Sequence, residues 1–379
     1  MTDSDPLSIT LGVEEECFLV DPDSLDLVRD PDPGFLDACQ RNAGPHKVVP
    51  ELLRCQVETN TRVCTSIAEL GEARREVRRI LVETAAQYGM KILAISTHPF
   101  ADWQVQGVTR KERYQRLTTR MQDVVRRALI GGMHVHAGFG NADQRVRVMT
   151  ALRQYLPVFN ALSASSAFSE ARDTGFKSWR LSVFGGLPRT GVPGPLASAE
   201  QYQAVIDRFR HMELISDGSE LWWDIRPSHA FPTVELRICD TVPLLDDGTA
   251  IAALYASLIR RLMRLDADGT LRQGPPVEII SENRWLAQRY GTLAFLGAEA
   301  GGREDIDDIV TRLIDEVSED AEALGCADEV ARMHDIIRFG TAADRQVDLY
   351  RLRRLEKSPH DDALRAVVDS MIEESTRGL

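Results

Sequence analysis

The stretch LGVEEECFLV at residues 11–20 places three consecutive carboxylates in a segment that otherwise has the composition of a buried β-strand. Successive side chains of a strand point to opposite faces, so Glu14 and Glu16 share one face while Glu15 lies on the other. Carboxylates are usually exposed, and a solvated sheet face is the simplest place for such a pair. The apolar flanks favour a different interpretation, in which the two carboxylates meet a cation. Because hard divalent ions such as Mg²⁺ take oxygen ligands and keep waters for substrate phosphates, the stretch predicts a phosphate-handling metal enzyme.

The composition of the chain excludes several classes of protein. Its 379 residues carry a net charge of -13, which argues against nucleic acid as a partner because a phosphate backbone requires a basic surface. The first residues lack the pattern of a signal peptide, and no apolar run is long enough to cross a bilayer, so we expect a cytoplasmic protein without membrane contact. The six cysteines are scattered without C-x-x-C spacing, which predicts neither a zinc site nor a disulfide framework.

The order of the predicted elements indicates the fold class. Apolar residues recur at helical spacing over residues 66–88, where Ser66 and Glu69 form a capping-box pattern. Further helices are predicted at 111–129, 142–169 and 199–214, strands at 132–139, 221–227 and 233–240, and a long loop at 173–194. This order favours an α+β fold, with an antiparallel sheet covered by helices, over a doubly wound fold. We expect one catalytic domain over residues 1–379, with the strands mainly within 8–245 and mostly helices in 246–379.

Three strand-like segments carry two ionisable residues two positions apart, with apolar neighbours. The pairs are Glu14 and Glu16, His134 and His136, and Glu235 and Arg237. A single histidine on a strand is more often a core residue, and a single Glu-x-Arg pair is more often a surface ion pair. Their occurrence together predicts a sheet face that holds metal ions and a nucleoside triphosphate. Arg237 or Arg226 would balance charge during phosphoryl transfer.

Two common catalytic motifs are absent from the sequence. It has no phosphate-binding loop of the form G-x-x-x-x-G-K-[ST], so ATP would be held by metals and by residues of the sheet. It also has no G-x-S-x-G nucleophile motif. The serines at 163–166 lie in a helix-like run, and we expect them to pack.

A series of longer motifs gives the chain a family resemblance. They are GVEEE at 12–16, THPFADW at 97–103, GMHVHAGF at 132–139, RDTGFKSWR at 172–180, WWDIRPS at 222–228, PTVELRICDT at 232–241 and ENRWLAQRYG at 282–291. Over roughly residues 8–355 the chain resembles the bacterial carboxylate-amine ligases of the glutamate-cysteine ligase type 2 family. The resemblance implies a glutamine-synthetase-like fold, in which an antiparallel sheet forms a half-funnel with ATP and Mg²⁺ at one end and amino-acid substrates at the other.

The resemblance also implies roles for individual residues. Metal ligands would be Glu14, Glu16, Glu58, His134 and Glu235. Catalytic roles fall to Arg237, which would stabilise the transferred γ-phosphoryl group, together with His134 and Glu235. Candidates for binding the nucleotide phosphates or a substrate carboxylate are His136, Arg226, Arg284 and Arg289, and a structural salt bridge is an equal alternative for these arginines.

The implied reaction has two steps. A carboxylate attacks the γ-phosphate of ATP to give an acyl phosphate, and an amine then displaces phosphate to form an amide; the sequence does not identify the base that deprotonates the amine. The chain departs from the family pattern at Cys17, Ala137 and residues 166–171, which spares the metal and phosphate positions but leaves the substrates open. Glutamate and an amine such as cysteine are the expected substrates, and a homodimer is possible.

Two alternatives remain open at the level of sequence. The same acids and histidines could hold a metal that activates water, which would make the protein an ATP-independent amide hydrolase. The fold could also be retained in a binding or regulatory protein without turnover.

Overall fold

The computed structural model describes residues 7–379, which form thirteen strands and fifteen α-helices. The strands are β1 (Thr10–Val20), β2 (Lys47–Pro50), β3 (Gln56–Asn60), β4 (Lys91–Leu93), β5 (Met133–Gly138), β6 (Phe168–Ser169), β7 (Arg172–Asp173), β8 (Thr190–Gly191), β9 (Trp222–Trp223), β10 (Ile225–Pro227), β11 (Thr233–Leu236), β12 (Phe295–Gly297) and β13 (Arg303–Asp305).

The helices are α1 (Pro33–Asn42), α2 (Ile67–Gln87), α3 (Glu112–Met121), α4 (Asp123–Arg126), α5 (Ala142–Leu152), α6 (Leu156–Ser163), α7 (Arg180–Phe184), α8 (Ala199–His211), α9 (Leu245–Ala267), α10 (Val277–Tyr290), α11 (Ile306–Ala323), α12 (Ala327–Ala331), α13 (Met333–Phe339), α14 (Ala342–Leu355) and α15 (His360–Thr376). Short 3₁₀ turns lie at Trp103–Val105, Arg153–Tyr155, Gly218–Glu220 and Gly291–Leu293. None of the helices within residues 7–379 combines the length and the apolar character needed to cross a membrane.

The main sheet is built around the acidic strand that opened the sequence. Its strands follow the order β10-β11-β5-β1-β3-β2, and β4 pairs with the end of β1. All neighbours are antiparallel. With eleven residues, β1 is long enough to pair with β5 along its first half and with β4 along its last three residues. Strand β1 therefore sets the register of both halves of the sheet.

The two faces of the sheet differ in chemistry because side chains alternate along each strand. One face carries apolar residues such as Leu11, Val13, Val135 and Leu236, which pack in the largest core cluster with residues of α2, α5, α6 and α9. Glu15 lies on this covered face, where it is 1% exposed. The opposite face carries the ionisable pairs and lines a cavity. The sheet thus separates the core from the candidate site.

The structure changes several predicted boundaries. The helix predicted at 111–129 is broken at Gln122, whose positive φ of 54° separates α3 from α4. The helix predicted at 142–169 ends at Ser163, and the predicted loop at 173–194 contains the short α7. At the start of α2, Ser66 accepts a hydrogen bond from the Glu69 backbone, whereas the Glu69 side chain accepts from Thr65 and not from Ser66. At these positions the local backbone conformation differs from what the spacing of apolar residues predicts.

Candidate active site

The open face of the sheet forms the floor of a cavity of about 510 Å³. Its lining includes all five predicted metal ligands, together with His136, Arg226 and Arg237. Further lining residues, from the surrounding loops and from α3 and α7, include Glu51, Lys111, Arg113, Tyr114, Arg180 and Phe231. Residues separated by more than 200 positions in the chain therefore meet here.

The first ligand cluster consists of Glu14, His134 and Glu235, whose potential ligand atoms all lie within 4.8 Å of one another. Strand register brings these residues together, since Glu14 pairs with His134 across β1 and β5, and Glu235 pairs with His136 across β5 and β11. Nδ1 of His134 lies 3.3 Å from Glu14 and 3.9 Å from Glu235. Nε2 of His136 lies 3.4 Å from Glu14. The cluster offers one imidazole and two carboxylates to a cation.

Burial, hydrogen bonds and neighbouring charges together set the protonation states of this cluster at neutral pH. Burial alone would raise the pKa of Glu14, but its hydrogen bonds to His134 and His136 lower it below the ordinary value. Burial likewise opposes ionisation of Glu235, yet the charges of Arg237 and Arg226 hold its pKa well below 4.5. Burial lowers the pKa of His134 to about 4. The two carboxylates are therefore ionised and His134 is neutral, which is the state that binds a metal ion.

The second ligand cluster consists of Glu16, Glu51 and Glu58, again with oxygen atoms within 4.8 Å of one another. The Gly132 amide donates to Glu16 at 2.8 Å, and the side-chain amide of Asn60 donates to Glu58 at 2.8 Å. Within residues 7–379, no lysine or arginine nitrogen lies within 4 Å of these three carboxylates. Three carboxylates that are close together without a cationic side chain match the oxygen donor set of a hard divalent ion.

Burial and mutual repulsion raise the pKa values of the three carboxyl groups in the second cluster. Burial raises the pKa of Glu16 to about 7. Burial and the charge of Glu16 raise the pKa of Glu51 to about 7, and burial with the charges of Glu14 and Glu51 raises that of Glu58 to about 8. A bound divalent cation would supply the missing positive charge and displace protons. The two clusters thus fit two metal positions side by side on the sheet, one with an imidazole and two carboxylates and one with three carboxylates.

These raised pKa values predict how Mg²⁺ changes stability with pH. Because the folded pKa values lie above the ordinary 4.5, the metal-free folded state binds more protons than the unfolded state between about pH 4.5 and 8. Its unfolding free energy should therefore fall as pH rises through this window. We expect Mg²⁺ to raise Tm more at pH 8 than at pH 6, measured by thermal unfolding with Mg²⁺ or with EDTA. An equal or smaller Mg²⁺ effect at pH 8 would contradict the assignment of this cluster.

Three arginines surround the clusters, and two of them pair with Glu235. Arg237 forms an ion pair with Glu235 and lies 3.5 Å from Nδ1 of His134. Arg226 donates from Nε to Glu235 at 2.9 Å and from Nη1 to the carbonyl groups of Ser219 and Leu221. Arg226 therefore lines the cavity, but its hydrogen bonds hold Glu235 and the preceding turn in place.

The third arginine, Arg180, was not selected from the sequence as a site residue. It is 2% exposed, and its guanidinium donates only to the backbone carbonyls of Arg237 and Ile238, at 3.2 and 3.3 Å. In the part of the chain that the structure describes, no carboxylate lies within 4 Å of it. Its Nη2 would lie 2.3 Å from a side-chain carbon at Gly132, so any other residue at position 132 would displace the guanidinium. The charges of Asp240 and Glu16 act on this buried guanidinium, but neither carboxylate forms an ion pair with it, so its side facing the cavity is suited to a substrate anion.

Sequence reasoning missed Arg180 and Glu51 for different reasons. Arg180 closes the RDTGFKSWR motif but lies in a predicted loop, outside the strand pattern that revealed the other residues. Glu51 follows Pro50 in a turn and has no partner two positions away that would mark it. In each case the spatial neighbours of the residue could not be read from the sequence.

The structure does not bring two of the candidate arginines to this cavity. Arg284 forms an ion pair with the buried Asp224, with Nε at 2.6 Å from the carboxylate. Arg289 donates to the carbonyl of Gly175 and stacks on Tyr290. The alternative of a structural salt bridge is found for Arg284, whereas Arg289 forms no ion pair within residues 7–379. The roles of both arginines in binding phosphate or substrate stay predictions.

A second cavity of about 500 Å³ lies behind a thin wall of the first. The wall consists of α4, α7 and Ile130, which lines both cavities, whereas Trp179 faces the second cavity and its neighbour Arg180 faces the first. Polar and aromatic residues line the second cavity, among them Thr97, Trp103, Arg127, Glu170 and Asp173. Arg127 stacks on Trp103 at 5.0 Å, and Trp103 donates to Glu170 at 3.0 Å. The second cavity therefore offers groups of both charges beside apolar rings.

Comparison with known proteins gives concordant results for sequence and fold. The family model described as Glutamate-cysteine ligase family 2 matches residues 10–370. A relative from Jannaschia sp. (strain CCS1) is 43% identical over 366 residues, covering 96% of both chains, and one from Rhodospirillum rubrum is 40% identical over 378 residues, covering 98% of this chain and 97% of the relative. Both bear the name "Putative glutamate--cysteine ligase 2".

Solved structures confirm the predicted fold class. A glutamate-cysteine ligase from Francisella tularensis, solved in complex with AMP, has a TM-score of 0.65 at 13% identity and covers 98% of this chain and 89% of its own. A bifunctional glutathione synthetase from Pasteurella multocida has a TM-score of 0.66 at 14% identity, with coverage of 97% and 53%. At such low identity the likeness concerns the fold, which is the glutamine-synthetase-like antiparallel sheet with helices.

Proposed function

This chain belongs to glutamate-cysteine ligase family 2 and is a carboxylate-amine ligase, and from that premise we propose that it uses ATP to join the carboxylate of glutamate, or of a similar acid, to an amine such as cysteine. The observation that carries the proposal is the pair of ligand clusters on one sheet face, flanked by Arg180 and Arg237. Such a face can hold a polyphosphate and a carboxylate at once, although both are anions.

The first step is the attack of a substrate carboxylate on the γ-phosphate of ATP. Mg²⁺ bound at the two clusters would neutralise the charges that otherwise keep these anions apart. His134, neutral at pH 7, and the ionised Glu14 and Glu235 would hold the nucleotide side of the site. Glu16, Glu51 and Glu58 would hold the side where the carboxylate arrives.

The arginines would stabilise the phosphoryl group during transfer. Arg237 is anchored by Glu235 and faces the cavity beside His134, so its charge is fixed before substrates bind. Fixed charges of this kind stabilise a transition state without reorganisation. Arg180, whose guanidinium lies beside Gly132, would bind a second anionic group, either the acyl phosphate or the substrate carboxylate.

We expect the second cavity to bind an amino-acid substrate. This cavity shares the lining residue Ile130 with the first cavity, and the adjacent residues Trp179 and Arg180 face the second and the first cavity respectively. Arg127 and Asp173 could bind the two charges of a zwitterion, while Trp103 covers its apolar part.

The experiment that tests the function is a substrate screen. Purified protein with Mg²⁺ and ATP is given glutamate and a panel of amines, and release of ADP is followed together with amide formation. We expect ADP release only when both a carboxylate and an amine are present, in a one-to-one ratio with amide. Amide cleavage without ATP would contradict the proposal and support a metal-dependent hydrolase.

A further inference from the structure

The hairpin between β10 and β11 forms one rim of the active cavity. Its tip runs from Ser228 to Pro232, and the Ser228 amide donates to the carbonyl of Thr233 at 2.9 Å. The Phe231 amide donates to the Ser228 hydroxyl at 3.3 Å, and the Thr233 amide donates to the Phe231 carbonyl at 2.8 Å. These bonds fix the backbone on both sides of Phe231. The backbone of Phe231 is therefore held at the rim, and its side chain lines the cavity.

Phe231 is an exposed aromatic residue that lines the cavity. Its exposure is 54%, although burial of a phenyl ring is strongly favourable. One of its neighbours is the His136 ring, in an edge-to-face contact with centroids 6.1 Å apart. A single exposed apolar residue on an open surface needs no explanation, but this one faces a polar cavity that is built for substrates.

The other large aromatic rings that line this cavity are already engaged within the described chain. The Tyr114 hydroxyl donates to the carbonyl of Pro50 at 3.2 Å. The guanidinium of Arg180 lies over Phe184 at 5.6 Å, and that of Arg189 lies over Trp222 at 5.0 Å. Among residues 7–379, Phe231 is the cavity-lining phenylalanine, tyrosine or tryptophan that is more than half exposed. Its face is thus accessible to a planar ligand.

The spacing from the first ligand cluster suits a nucleotide. His134 belongs to that cluster, and His136 lies two residues further along β5, or roughly 7 Å at the usual rise of a strand. Phe231 lies beyond His136 in the same direction along β5. His136 pairs with Glu235, and the antiparallel β11 runs from there back towards the hairpin tip. The ring is therefore on the order of 10 Å from the cluster, a distance that one extended nucleotide can bridge.

We propose that Phe231 is the stacking platform for the purine base of the nucleotide, with the phosphates directed inward past His136 to the first cluster. This inference rests on the proposed use of ATP and adds the position of the base. Stacking on a π-face tolerates different bases, so we also expect the enzyme to accept GTP with a KM within about tenfold of that for ATP.

The test compares variants of Phe231 with two ligands that differ in the base. Phe231→Ala should weaken MgADP binding about tenfold or more by calorimetry and raise the KM for ATP similarly, since stacking on an aromatic side chain contributes that much. Binding of Mg-tripolyphosphate, which lacks a base, should stay within about twofold of wild type. Phe231→Tyr should retain MgADP binding, and Phe339→Ala, at another exposed phenylalanine, should change neither ligand.

The outcomes separate this inference from the proposed function. Unchanged MgADP binding by Phe231→Ala would overturn the stacking role while leaving the ligase proposal intact. An equal loss of MgADP and tripolyphosphate binding would also overturn it, because the effect would then concern the phosphates. Wild-type protein that binds neither ligand would refute the proposed use of ATP, and the stacking role with it.

Discussion

Glu16→Gln is expected to lower kcat by about a thousandfold or more while the protein remains fully folded. Glu16 contributes to the carboxylate cluster with Glu51 and Glu58, and a metal ion at such a site supplies several kcal/mol of charge stabilisation. A loss of about 4 kcal/mol corresponds to roughly a thousandfold in rate. Stability should be unchanged or slightly higher without Mg²⁺, because burial raises the pKa of Glu16 to about 7 and its charge opposes folding at higher pH.

The measurement pairs steady-state kinetics with urea unfolding on the same preparations. Glu373→Gln removes a carboxylate of the same type from an exposed position on α15, far along the chain from the site, and should leave both kcat and stability near wild type. Turnover by Glu16→Gln within about tenfold of wild type would contradict the metal-ligand assignment.

Glu15→Gln is expected to have the opposite effect, although the two residues are adjacent. Glu15 is 1% exposed and forms ion pairs with Arg74 at 2.8 Å and Arg78 at 2.9 Å, both of which are completely buried. Arg74 also donates to the carbonyl of Leu245, and Arg78 to that of Ser375, so this cluster connects β1 to α2, α9 and α15. Removing one partner leaves buried charge uncompensated, which costs about 3–5 kcal/mol.

Urea unfolding at pH 7 checks this second prediction, with the free energy of unfolding as the quantity compared. Molecules of Glu15→Gln that remain folded should turn over substrate at a rate close to wild type, because Glu15 lies on the face of the sheet away from the cavity. The free energy of unfolding should fall far more for Glu15→Gln than for Glu16→Gln. A loss below about 1 kcal/mol would show that the ion pairs contribute little to stability.

The contrast between these neighbours could be predicted from the sequence. Alternation along a strand separates Glu15 from Glu14 and Glu16 whatever the partners of the strand are. The same rule placed His134 with His136, and Glu235 with Arg237, and antiparallel pairing of β1, β5 and β11 brings all of them to one face. The α+β class followed from the order of the elements, and the family motifs added the glutamine-synthetase-like topology.

Other parts of the site depend on contacts that periodicity does not encode. Arg180 reaches the cavity from a short helix in a predicted loop, and only the fold shows that no carboxylate within residues 7–379 pairs with it. Glu51 joins Glu16 and Glu58 through the turn between β2 and β3. Arg284 has a charge and a motif position that suit substrate binding, yet Asp224 binds it elsewhere. In each of these cases the role of the residue depends on its tertiary contacts.

The central claim is that a carboxylate is activated by phosphorylation, and transfer of an isotope label tests it most directly. Glutamate labelled with ¹⁸O in its carboxylates is converted with ATP, Mg²⁺ and the amine identified by the screen, and the released inorganic phosphate is examined by mass spectrometry. Attack by the carboxylate on the γ-phosphate predicts one ¹⁸O atom in each phosphate released. Unlabelled phosphate accompanying amide formation would contradict an acyl phosphate and the account of the site built on it.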